Sequence, residues 1–197
     1  MKPNLIPIVV AWGLIVNSGC GDSPRTSEGA AQATAEQTLE QPLLCTVEIP
    51  GGWTADGGRV RGPSALEFEG TTSVTAPSGT VLSLKAYVTP AKREFDALAE
   101  DLASLMHEGS KGNFGRLRGP EGFHGAYRYV KTYKNGRASA FAFVALLVND
   151  QQRAWMLAGA AVLDAHHPSP ESDWMPPDDE IEDMIRIAES MRPHDGE

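Results

Sequence analysis

Cysteine is scarce in this 197-residue chain, with only Cys20 and Cys45. Two cysteines cannot build the multi-bridge framework that holds many small exported domains together. Basic side chains are also short: 17 Lys and Arg stand against 26 Asp and Glu, for a formal net charge of −9. Nucleic-acid binding needs a basic surface that displaces counterions, so nucleic acid is not an expected partner. No apolar run reaches the roughly 20 residues that a spanning helix needs. There is no Gly-x-Ser-x-Gly elbow, no P-loop and no Gly-rich dinucleotide fingerprint. With no nucleophile, metal set or carboxylate pair indicated, the expectation is a non-enzymatic protein without a cofactor.

What is present begins at the N-terminus. Met1-Lys2-Pro3-Asn4 is a basic start and Leu5 to Val16 an apolar stretch, the pattern of a signal sequence over residues 1–19. Asn17-Ser18-Gly19-Cys20 follows. Ser18, Gly19 and Cys20 resemble the lipobox of bacterial lipoproteins, in which the thiol receives a diacylglyceryl group and becomes the mature N-terminus. Asn17 departs from that pattern, which prefers Leu there. The resemblance implies lipidation of Cys20 and membrane lipid as a partner. The expected location is the extracytoplasmic (periplasmic) side of a bacterial envelope membrane. Each buried CH₂ contributes about 0.8 kcal/mol, so two or three acyl chains hold a protein durably. The alternative is an ordinary cleaved signal, with Cys20 free to pair with Cys45.

Residues 20–41 carry Ser, Thr, Ala, Gln and Glu without apolar periodicity. Such a segment buries too little surface to offset its ordering entropy, and a disordered tether is expected. The folded domain is expected over 42–197. Leu43–Ile49 alternates as a strand with Cys45 on its apolar face, where an inert thiol is expected. Pro50-Gly51-Gly52-Trp53 reads as a turn and an aromatic anchor. Arg59–Arg61, Ala65–Glu69 and Thr80–Val88 read as strands. Thr89-Pro90 then opens a helix as N-cap and first residue. Its stripe is Phe95, Leu98, Leu102, Leu105 and Met106, and Gly109 closes it. Gly109, Gly112, Gly115 and Gly119 read as a loop. Phe123–Lys134, Arg137–Val148 and Arg153–Leu163 read as an antiparallel meander, its first turn signalled by Asn135-Gly136. Phe141, Phe143, Ala145 and Leu147 face one way, and Ala140, Ala142, Val144, Leu146 and Val148 the other. A sheet apolar on both faces asks to be covered on both. A last helix is expected over Asp179–Met191, with acidic residues at its start favoured by the helix dipole.

Charge is unevenly placed. Residues 164–197 hold eleven Asp and Glu against Arg186 and Arg192. Residues 111–137 hold Lys111, Arg116, Arg118, Arg128, Lys131, Lys134 and Arg137 against Glu121 alone. Arg128, Lys131, Lys134 and Arg137 are therefore the candidate partner-binding residues, for an anionic protein or lipid headgroups. The competing reading is that the acidic C-terminal segment folds over them. The cluster at 178–183 reads as a helix start with a solvated face. His166-His167 lies in a Pro-rich loop without a third ligand or the one-face spacing of a helical zinc site, so no metal is expected.

The element order is strand, Ile49-Pro50-Gly51-Gly52-Trp53 turn, strands, amphipathic helix, three-stranded meander and C-terminal amphipathic helix. Over residues 42–192 it resembles the PsbP-like superfamily, with its bacterial DcrB-like proteins and the eukaryotic Ran-binding protein Mog. The resemblance implies an α+β fold in which one antiparallel sheet is covered by helices on both faces. It implies an accessory or binding role, here with an envelope protein partner. No catalytic residues are shared across that superfamily, so none is carried over. A module holding a small molecule between helix and sheet is the second expectation.

Overall fold

The computed structural model describes residues 40–62, 64–107, 113–163 and 175–194. The expected signal sequence, Cys20, nearly all of the expected tether, Gly109, Lys111, Gly112 and His166-His167 lie outside them. The strands are β1 (Gln41–Pro42), β2 (Leu44–Glu48), β3 (Thr54–Asp56), β4 (Arg59–Arg61), β5 (Ala65–Glu69), β6 (Thr71–Thr75), β7 (Val81–Val88), β8 (Phe114–Leu117), β9 (His124–Lys134), β10 (Arg137–Asn149), β11 (Ala154–Leu163) and β12 (Arg192–Pro193). The helices are α1 (Lys92–His107) and α2 (Asp178–Ser190).

The described residues form a mostly antiparallel β fold with two helices, but the strands make two sheets. The large one runs β3-β6-β7-β11-β10-β9-β8, with β1 also on β7. The small one runs β12-β2-β5-β4. Gly70 divides them: β5 ends before it in the small sheet and β6 starts after it in the large one. Its φ of +69° is left-handed, and a Cβ there would stand 3.0 Å from Pro42 and 3.2 Å from the Tyr87 hydroxyl. Only glycine makes that corner without strain.

Strand pleating sorts the meander. Phe141, Phe143, Ala145 and Leu147 of β10 join Met156, Ala158 and Ala160 of β11 in one core, with Ile181, Met184, Ile187 and Ala188 of α2. Cys45, Val47, Leu66 and Phe68 of the small sheet belong to the same core. The opposite face gathers Ala126, Leu146, Val148 and Trp155 under Phe95 and Leu102 of α1. Leu98, Leu105 and Met106 pack partly against them, as their helical spacing leads one to expect. The layer opposite α1 is thus helix and sheet together, which a one-sheet reading does not foresee.

Two local expectations are corrected. Thr89 is not a helix cap: it is 1% exposed, and its Oγ1 accepts a 2.8 Å bond from Trp155 Nε1. That bond and a 3.0 Å bond from Thr89 N–H to the Arg153 carbonyl tie Thr89 to the start of β11, and α1 begins only at Lys92, with Phe95 N–H on the Ala91 carbonyl. Residues 114–117 are not a loop but edge strand β8, paired to β9 from Phe114↔Arg128 to Leu117↔Gly125. Gly115 permits this, because a Cβ there would lie 2.5 Å from the Tyr127 ring.

Candidate interaction surface

The four candidate cations lie on β9 and β10, and the pleat divides them. Arg128 and Lys134 point to the α1 side of the large sheet, and Arg137 pairs with Lys134 on that same side. Lys131 points to the α2 side, where it makes a 2.8 Å ion pair with Asp178. The hydrogen bond and charge of Lys131 hold the Asp178 carboxyl below its ordinary value. Among the described residues, the acidic C-terminal segment therefore meets one of the four. Arg128 is half-buried and engaged by a neighbour. Lys134 and Arg137 are exposed, and neither has an ion-pair partner among the described residues.

The turn between Lys134 and Arg137 uses positive φ at Asn135 (54°) and Gly136 (78°), as a two-residue type I′ hairpin requires. A bulge at Ser139, between the Ala138↔Tyr133 and Ala140↔Thr132 pairs, adds one residue to β10. Tyr133 is 59% exposed beside the tip. Tyr127 and Tyr129 instead pack against the α2-side core. Burial, then the neighbouring Tyr129 and Glu189, raise the Tyr127 hydroxyl above its ordinary value.

The acidic start of α2 is not only a solvated face. Glu180 is 7% exposed, and its carboxylate accepts bonds from Ser78 N–H at 2.9 Å and Ser78 Oγ at 2.5 Å. These bonds tie α2 to the turn before β7. Its burial follows the helical spacing of Glu180 with Met184 and Ile187, a signal that the run of acids conceals in sequence.

A shallow depression of about 320 Å³ lies beside the Ile49–Trp53 turn, lined by Glu48, Ile49, Pro50, Gly51, Ser64, Asp183 and Arg186. Trp53 anchors the turn: it is 8% exposed and donates from Nε1 to Asp183 Oδ2 at 3.3 Å. Arg186 pairs with Asp183 at 3.2 Å and Glu182 at 3.6 Å. Ser64 is far in sequence from Asp183 and Arg186, and only the i,i+3 spacing of those two hints at the grouping.

Cys45 carries a free, buried thiol whose Sγ lies 3.2 Å from Met156 Sδ. Burial pushes its pKa up to about 12, against smaller lowering effects from backbone bonds and Arg192. Among the described residues no three His, Cys, Asp or Glu gather as a metal site. No helix there is long and apolar enough to cross a membrane.

No family model and no curated protein sequence matches the chain. Among solved structures, the chain is similar to the solution structure of cyanobacterial PsbP (CyanoP) from Synechocystis sp. PCC 6803. The match has 11% identity and a TM-score of 0.38, covering 87% of this chain and 100% of that one.

Proposed function

We propose that this chain is a lipid-anchored protein of a bacterial cell envelope with a binding or accessory role and no catalysis of its own. The carrying observation is Asn17-Ser18-Gly19-Cys20 directly after the apolar Leu5–Val16 stretch, in which Ser18, Gly19 and Cys20 match the lipobox. The domain is a PsbP-like, DcrB-like module whose two helices flank the large sheet. The order of its elements from the Ile49–Trp53 turn to α2 supports that reading. The exposed cations at the β9–β10 tip support a contact with an anionic partner. The test is fractionation of cells making the chain or its Cys20→Ala variant, followed by cross-linking in intact cells. The expected result is release of the variant from the membrane fraction and loss of an envelope partner captured by the anchored chain. Unchanged partitioning of the variant overturns the anchor.

The depression beside the Ile49–Trp53 turn favours a second reading, a small polar ligand held against Arg186 and Asp183. A metabolite screen by thermal shift tests it, since a ligand that binds only the folded state raises the melting temperature. Arg186→Ala is expected to abolish any such shift.

A further inference from the structure

We infer that the part of the large sheet's α1-side face left uncovered by α1 is a docking surface for an acidic, amphipathic segment of a partner protein. This rests on the binding role proposed above and names the face and the chemistry of its occupant.

The sheet outruns the helix. β10 has 13 residues and α1 has 16, which is roughly 44 Å of strand against 24 Å of helix. The α1 contacts fall at one end, on Ala126, Leu146, Val148 and Trp155. Toward the hairpin tip the same face continues through Val130, Ala142 and Ala161, which are cross-strand neighbours, and through Thr132, Ala140 and Leu163. Val81 lies on this face on β7. Val130, Leu163 and Val81 are 36%, 49% and 48% exposed, and Ala142 and Ala161 are exposed as well. An antiparallel sheet with a solvated face ordinarily alternates apolar with polar residues. Here the outward positions stay apolar along the adjacent strands β10 and β11, with Val130 of β9 and Val81 of β7 beside them, the composition of a surface meant to be covered. The alanines leave room for close approach.

Charge selects the occupant. Lys134 and Arg137 border this face at the tip, and Lys85 and Arg128 belong to it, each already engaged. A second copy packed face to face would set these cations against their own kind. A segment with apolar residues on one side and carboxylates along its flank meets both the valines and the cations. Position separates this face from the chain's entry. Gln41 enters the large sheet opposite Val88, at the end near Asn149 and Ala154. The tip lies at the other end, about 40 Å away along the strands. A chain anchored at Cys20 enters its domain at one end and presents this face toward the other.

The test uses the full lipidated chain in phosphatidylcholine nanodiscs and two 18-residue amphipathic peptides. Both carry Leu on one side; one has Glu along its flanks and the other Lys. Hydrogen exchange is read over residues 128–134, 140–145 and 157–163. The Glu peptide is expected to protect these segments. Its binding should weaken about tenfold in a Lys134→Glu, Arg137→Glu chain and in an Ala142→Glu chain, because like charge is then placed beside its carboxylates. Val60→Glu, at an exposed site on the small sheet, is expected to leave binding unchanged. The inference is overturned if neither peptide protects the face, or if the Lys peptide does so equally. It is also overturned if phosphatidylglycerol discs protect the face without peptide, or if protection rises with the number of chains per disc. Failure here with release of Cys20→Ala intact in fractionation leaves the anchored reading standing and removes only the surface.

Discussion

Raising the pH should destabilise this protein through a single buried thiol. Cys45 has 0% exposure and lies in β2 between Phe68 of β5 and Pro193 of β12. Burial raises its pKa to about 12, whereas an unfolded thiol ionises near 8.5. Between those values the folded chain keeps a proton that the unfolded chain has lost. The stability held below the unfolded value is then lost as pH rises, by about 1.4 kcal/mol per unit. From pH 8.5 to pH 10 the loss is roughly 2 kcal/mol; above that, lysine and tyrosine titrations intrude. Cys45→Ala removes the titration and leaves a small cavity, which costs about 1–2 kcal/mol near pH 7.5. The gap between the two chains should therefore close as the pH rises and nearly vanish by pH 10. Urea unfolding of both full-length chains under reducing conditions, at half-unit steps, measures this, and Cys20 is common to both. Parallel stability curves from pH 7.5 to pH 10 would refute the reasoning, because the folded thiol would then ionise as readily as the unfolded one.

Two further outcomes follow from the α2 contacts. NMR titration should find the Asp178 carboxyl below the ordinary carboxylate value, and Lys131→Ala should return it there. The stabilising contact is present above that ordinary value and fades as pH falls through the lowered one, so an unmoved Asp178 in the variant would exclude the ion pair. Glu180→Ala should cost about 1–3 kcal/mol in urea unfolding, since it strips both bonds from Ser78, and a loss below about 0.5 kcal/mol would mean that α2 does not depend on that turn.

The meander was legible because its signals are local. Asn135-Gly136 sets the hairpin, and period-two alternation from Phe141 to Val148 assigns each residue to the correct face of the sheet. The α1 stripe was legible for the same reason. The second sheet was not, because Ala65–Glu69 and Thr71–Thr75 are one continuous β-rich run in which only Gly70 marks the change of sheet. Thr89-Pro90 misled because a capping signature competes with a tertiary bond from Trp155, 66 residues away, and local propensity yields to such a bond. β8 was hidden by Gly115, which reads as a loop residue until the Tyr127 ring above it explains the missing side chain. The candidate cations were found on the right strands, and the division of Lys131 from Arg128 and Lys134 followed from alternation. Which side the acidic segment would meet was not legible, because that depends on where α2 packs.

That packing turns a uniformly basic stretch into two different surfaces. α2 lies against the odd-numbered side of β10, with Met184 and Ile187 in the core of Phe141 and Phe143. From there its acids reach only what shares that side or edge. Asp178 takes Lys131, and Glu189 takes the Arg118 backbone N–H at 3.0 Å. Arg128 and Lys134 sit one residue out of phase and face the other way, and the pleat puts the thickness of the sheet between them and the acids of α2. Exposed carboxylates act weakly across such distances at physiological salt. The acids of α2 therefore leave the positive character of Lys134 and Arg137 at the hairpin tip uncancelled. Internal neutralisation, seen at Lys131, and the partner contact proposed for Lys134 and Arg137, which compete when the sequence is read as a line, fall on opposite faces of one hairpin.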